Sequence, residues 1–130
     1  MAFMTHSLDD NRVDGIEYLP ASAFTPKVGM ALVQSGGQLA MATGTTKPTY
    51  ISRCERESAC TAGELIPVVR VDSDQIYETT FAAAATSVKL GNKVTLHTDG
   101  MQVTATTASG VAEVVYMDGT ASGSMCRVRF

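Results

Sequence analysis

The sequence predicts an all-β protein: a small single-domain β-barrel or sandwich over residues 27–130, preceded by an extended N-terminal arm over residues 1–26. Two observations carry that expectation. Residues 89–130 run as short segments of alternating character cut by Gly91, Asp99-Gly100, Gly110, Asp118-Gly119 and Gly123, the rhythm of strands joined by tight turns. Charged residues make up 18 % of the chain, below the roughly 25 % usual in globular domains, and Thr, Ser, Ala and Gly take their place, residues that suit crowded sheets and turns. With 45 % hydrophobic residues among 130, one self-sufficient core is possible, because a chain of this length buries about two-thirds of the surface it exposes when unfolded.

Taken in order, residues 1–25 show no sustained apolar period, and Pro20 and Pro26 bracket a run of small residues. This reads as an arm leading into the domain, with Phe24 as its anchor. On this reading a chain lacking residues 1–25 folds and loses only attachment. Met30-Ala31-Leu32-Val33, Ser35-Gly36-Gly37 and Gln38-Leu39-Ala40-Met41-Ala42 then form a hairpin signal. A strand is expected over residues 48–54, built on Tyr50 and Ile51. Another is expected over residues 65–71, where Pro67 points to a sheet edge, a bulge or a strand start.

Asp72-Ser73-Asp74 is a turn, residues 75–80 suit a strand, and the alanine-rich residues 81–86 suit one helical turn. Four closing strands are expected over residues 93–98, 101–107, 111–116 and 124–130. The halves echo one another: Lys27-Val28-Gly29 by Lys89-Leu90-Gly91, Gly37-Gln38-Leu39 by Gly100-Met101-Gln102-Val103, and Gly63 by Gly123 ahead of a last strand. Such echoes arise in any β protein of this composition as readily as in a duplicated one, so in the sequence they support repeated hairpins and no more.

Chemistry-bearing residues are sparse. His6 falls in the arm and His97 in a strand, with no triad context around either. Cys54 and Cys60 are too far apart for a common zinc knuckle, with Cys126 distant from both; of the acidic clusters Asp9-Asp10 and Asp72-Ser73-Asp74, the latter lacks the glycine and terminal glutamate of a calcium loop, and aspartate is common in turns for its own local hydrogen bonds. No catalytic residue, metal or cofactor is expected. The formal net charge of −3 provides no electrostatic footprint for nucleic acid or an anionic membrane. No secretory signal is read in residues 1–14, so the three cysteines suit free thiols in a reducing cytosol.

Thr25-Pro26-Lys27-Val28-Gly29, the Gly36-Gly37 hairpin, Gly63-Glu64-Leu65-Ile66-Pro67-Val68 and the ending Asp118-Gly119-Thr120-Ala121-Ser122-Gly123-Ser124-Met125-Cys126-Arg127-Val128-Arg129-Phe130 together resemble the head decoration proteins of tailed bacteriophages, over roughly residues 25–130. The resemblance implies a β-tulip-like module, commonly a homotrimer, made in the host cytoplasm. It implies binding to the exterior of an assembled virion shell, where such a module clamps neighbouring major capsid protein subunits together. It carries over no catalytic residue. Capsid or subunit contacts are expected at Phe24, Pro26, Met30 and Leu32. Two rival readings are a carbohydrate- or cell-surface-binding module, which needs an exposed aromatic platform, and a small enzyme, which needs a cleft gathering His97 with Asp99 or Glu113.

Overall fold

The computed structural model describes residues 2–7 and 15–130, and among these there is no helix. The strands are β1 (Met4–Ser7), β2 (Ile16–Ala21), β3 (Ala31–Ser35), β4 (Gln38–Met41), β5 (Tyr50–Ser52), β6 (Glu64–Arg70), β7 (Ile76–Thr80), β8 (Lys93–Val94), β9 (Ala112–Met117) and β10 (Met125–Arg129). They build a closed barrel in the order β2-β4-β3-β5-β6 and a five-stranded sheet in the order β1-β7-β10-β9-β8. The all-β class expected from turn spacing and composition is the class observed.

The first barrel starts from the expected hairpin. Ser35 pairs with Gln38, and Gly36 and Gly37 between them have φ of 60° and 82°, the two positive values that a two-residue turn needs to match the strand twist. Strand β5 pairs with β3, β6 with β5, and β2 with β6 along six residues. One parallel rung, Ala21 to Leu39, then closes the ring. Leu32, Leu39, Ile66 and Val68, all at 0 % exposure, fill the interior with Ala21, Met30 and Tyr50.

Three expectations are corrected. Residues 1–26 are not simply an arm: β2 is a full member of the barrel and β1 pairs with β7, so removing residues 1–25 takes a stave from the barrel. The sequence hid β2 because its outward residues Ile16, Tyr18 and Pro20 are as apolar as its inward Leu19 and Ala21, which erases the two-residue period. Pro67 lies inside β6 of a closed barrel, opposite Tyr18. It is tolerated because the Arg53 amide donates to its carbonyl at 2.9 Å, one residue past the end of β5, and a proline cannot return that bond. Residues 81–86 make no helical turn. The Ala82 amide donates to the Val103 carbonyl at 2.8 Å and the Ala85 amide to the Thr120 carbonyl at 2.7 Å, so this run is held as bent, irregular coil by bonds to distant segments.

Among the four closing strands expected, β9 and β10 match their sequence ranges, but residues 93–98 keep only Lys93–Val94 and residues 101–107 form no strand. Single rungs remain, Leu96 to Val103 antiparallel and Phe81 to Val103 parallel. The two segments still exchange backbone bonds, the Thr104 amide to the Thr95 carbonyl at 2.9 Å, the Thr95 amide to the Thr106 carbonyl at 3.0 Å and the His97 amide to the Gln102 carbonyl at 2.8 Å. The Thr104 hydroxyl accepts the Thr106 amide at 3.0 Å and shares a 2.7 Å bond with the Thr95 hydroxyl, a local side-chain bond that competes with a regular ladder.

Those single rungs reveal a duplication that the sequence echoes left open. The first half runs β2-β6-β5-β3-β4 and returns to the end of β2 through the parallel rung Ala21 to Leu39. The second half runs β7-β10-β9-β8, then Leu96, then Val103, and returns just past β7 through the parallel rung Phe81 to Val103. Hydrogen bonds repeat with it. Ser22 to Leu39 is matched by Ala82 to Val103, Gly63 to Ala21 by Gly123 to Phe81, Gly29 to Ser52 by Gly91 to Val114, and Ser52 to Met30 by Val114 to Asn92. The second copy is the looser ring, with β1 added along β7.

The two halves share one large core. Ala31, Ala42 and Ile51 of the barrel pack with Phe81, Val94, Leu96, Val103, Val114 and Val128 of the second half. The chain ends join there too: the Phe130 ring meets Phe3 edge-on at 5.4 Å and Tyr77 at 5.6 Å. Gly110 marks the tightest approach, because a Cβ placed on it would lie 2.6 Å from the Val94 nitrogen and closer still to the Lys93 carbonyl. Neither partner is a movable side chain. Gly110→Ala is therefore expected to destabilise the fold by about 3 kcal/mol, while Gly15→Ala, with nothing within 4 Å, should be near neutral in the same urea titration.

Candidate binding surface

The residues that the sequence singled out for contact are used for packing. Met30 and Leu32 are 4 % and 0 % exposed inside the first barrel, Pro26 is buried, and Phe24 is half-buried against the same cluster. None of the four presents its apolar surface outward. The apolar residues that do so lie elsewhere: Ile16, Tyr18 and Leu65 are 59 %, 65 % and 58 % exposed. On the β2/β6 ladder Tyr18 pairs with Pro67 and Pro20 with Leu65, so these side chains form one continuous outward stripe. A lone exposed leucine is ordinary, but a contiguous apolar patch on a folded surface marks a contact site.

The equivalent ladder of the second half carries different chemistry. Arg127 pairs with Glu78 and Met125 with Thr80, at the positions of Pro67, Tyr18, Leu65 and Pro20. Arg127 Nε donates to Glu78 Oε1 at 3.1 Å and its guanidinium lies 4.6 Å from the centre of the Tyr116 ring. Beside this pair, Ala2, Met4, Glu78, Thr79, Thr80 and Met125 line an open groove of about 450 Å³. Met4 stands 52 % exposed at its edge.

Most polar groups with chemical potential are occupied by the fold. Asp99 Oδ1 accepts the Met101 amide at 2.8 Å and the Gln102 amide at 3.2 Å, capping its turn. Glu113 Oε1 accepts from Arg129 Nε at 2.7 Å. His97 is half-buried, with its backbone in the same turn. Cys60 and Cys126 are buried, and burial pushes both thiols up, Cys126 to about 12, which suppresses the thiolate that a nucleophile or metal ligand requires. Among the described residues no three His, Cys, Asp or Glu side chains are grouped for a metal. The side chain of His6, and Asp9 and Asp10, lie outside the described residues.

The loop between β5 and β6 is tied down by charge. The Val28 amide donates to Glu55 Oε1 at 2.9 Å, Lys27 Nζ lies 3.2 Å from Glu55 Oε2, and Arg56 pairs with Glu64, whose Oε1 accepts the Thr61 amide. The backbone donors Val28 and Thr61, then the cations Lys27 and Arg56, hold the Glu55 and Glu64 carboxyls below the usual 4.5. A carboxylate with a depressed pKa stabilises the structure above its unfolded pKa, and that contribution disappears as pH falls through the folded value. Hydrogen-exchange protection of the Val28 and Thr61 amides is accordingly expected to hold at pH 6 and fall below pH 4.5, and Glu55→Gln should remove the pH step at Val28.

No protein-family model matches the sequence, and no curated protein matches it.

Proposed function

We propose that this protein is a virion structural protein that binds the outer surface of an assembled phage capsid and stabilises it by bridging major capsid protein subunits, working as a homotrimer. The observation that carries this reading is the apolar stripe of Ile16, Tyr18 and Leu65 on a body whose carboxylates, histidine and buried thiols serve the fold. Such a body is suited to adhesion. Its charges support the same reading, because Glu17 with Arg70, Glu78 with Arg127 and Glu113 with Arg129 pair across neighbouring strands instead of gathering into a single-sign field.

A module copied many times over a lattice needs only modest affinity at each contact, because every bound oligomer bridges several subunits and raises the effective concentration of the next contact. Stiffness then matters more than affinity, and a closed barrel joined to a second sheet through one core is suited to supply it. The carbohydrate reading calls for a platform of exposed aromatic rings. Tyr18 stands alone on its stripe, and Tyr116 carries the Arg127 guanidinium over its ring.

Adding purified protein to capsid shells that lack it tests the proposal. It should co-sediment at a fixed ratio to the major capsid protein and raise the temperature at which the shells rupture. Protein left in the supernatant, with shell rupture unchanged, overturns the reading.

A further inference from the structure

The duplication provides an internal control for the apolar stripe. Two ladders of the same fold, β2/β6 and β7/β10, present the same outward positions. The second fills them with Glu78 and Arg127, a pair suited to water, and the first with Tyr18 and Pro67. Packing inside the barrels cannot account for the difference, because all four side chains point away from the interiors. At these two positions the first ladder is apolar and the second charged, while Met125 and Thr80 of the second ladder stand at the positions of Leu65 and Pro20.

The same chain carries a surface that fits the first ladder. The groove of Ala2, Met4, Thr80 and Met125 is apolar on its floor and edged by Met4 and Met125, flexible thioether side chains that mould to an incoming aromatic ring. Glu78 at its side supplies an acceptor for a phenol hydroxyl. Tyrosine is a preferred anchor at interface centres because it buries a large rigid face and retains one polar contact. The Met4 position beside Glu78 is created by β1 pairing with β7, whereas among the described residues no strand pairs alongside Ile16 or Tyr18 on the side of β2 away from β6.

We propose that the β2/β6 stripe of one copy, centred on Tyr18, docks into the Met4/Met125 groove of a second copy, head to tail. Stripe and groove are different surfaces, so the contact is heterologous, and repeating it closes a ring when the rotation between copies permits. This deepens the self-association in the reading above and rests on it. Because it concerns purified chain without shells, its failure is separable from failure of shell binding.

The experiment is mass measurement by light scattering on the wild type and three variants: Tyr18→Asp, Leu65→Asp and Met125→Asp. The wild type is expected as a closed oligomer and each variant as the 13.7 kDa monomer; thermal midpoints are recorded beside the masses because Met125, unlike the exposed Tyr18 and Leu65, is half-buried, and a monomeric variant counts only with its midpoint retained. An equimolar mixture of Tyr18→Asp and Met125→Asp is the decisive arm. The first keeps an intact groove and the second an intact stripe, so they should combine into a dimer of twice the monomer mass and stop there. A monomeric wild type overturns the proposal. So does a Met125→Asp variant that keeps its full mass, which would mean stripe against stripe, or a mixture that stays monomeric.

Discussion

The structure depends on closing a ring of strands. A strand edge left open in water is a row of unpaired amides and carbonyls, costly to bury and prone to pair with other chains. The first half closes its ring at the end of β2 with one parallel rung between Ala21 and Leu39, reinforced by the Ser22 amide and hydroxyl, which both donate to the Leu39 carbonyl. Everything inside the first barrel follows, because Leu32, Ile66 and Val68 reach full burial only when staves surround them on every side. The second half repeats the device through Phe81 and Val103 but with single rungs, and it borrows the shared core and strand β1 to complete itself.

Fusing two such rings through a common core turns a pair of small domains into one rigid body. A barrel of about sixty residues alone buries a smaller fraction of its surface and is correspondingly marginal. Here Ala31, Ala42 and Ile51 of the first ring are covered by side chains of the second, and the two chain ends are locked by Phe3 and Phe130 over Tyr77. Polar residues are spent in the same way. Ser52, Gln75, Thr79 and Thr95 are buried, and no buried side-chain nitrogen or oxygen among the described residues lacks a hydrogen-bond partner, as the cost of burying an unpaired polar atom requires.

Duplication also separates what the fold demands from what the surface does. Positions that are equal in the two rings and similar in chemistry, such as Leu39 and Val103 or Gly63 and Gly123, answer to the architecture. Gly63 and Gly123 both hold φ near 90° ahead of a closing strand, a backbone state that glycine enters without steric cost. Positions that are equal in place but opposite in chemistry, Tyr18 against Glu78 and Pro67 against Arg127, answer to the surroundings of each face.

The amino-acid sequence by itself determined the all-β class, the Gly36-Gly37 hairpin, the strands around Tyr50, Val68, Tyr77, Val114 and Val128, and the echo between the halves. These are legible because turns and β-branched runs act over a few residues. Tertiary structure decided the rest. It made β2 a barrel stave although its outward face is apolar, let Pro67 sit opposite a strand that ends, and drew Met30 and Leu32 inside. The stripe on β2 and β6 was unreadable because its members lie about fifty residues apart and become neighbours only through pairing. A period-two pattern tells which residues share a face of one strand, and closure of the ring tells which of those faces meets water.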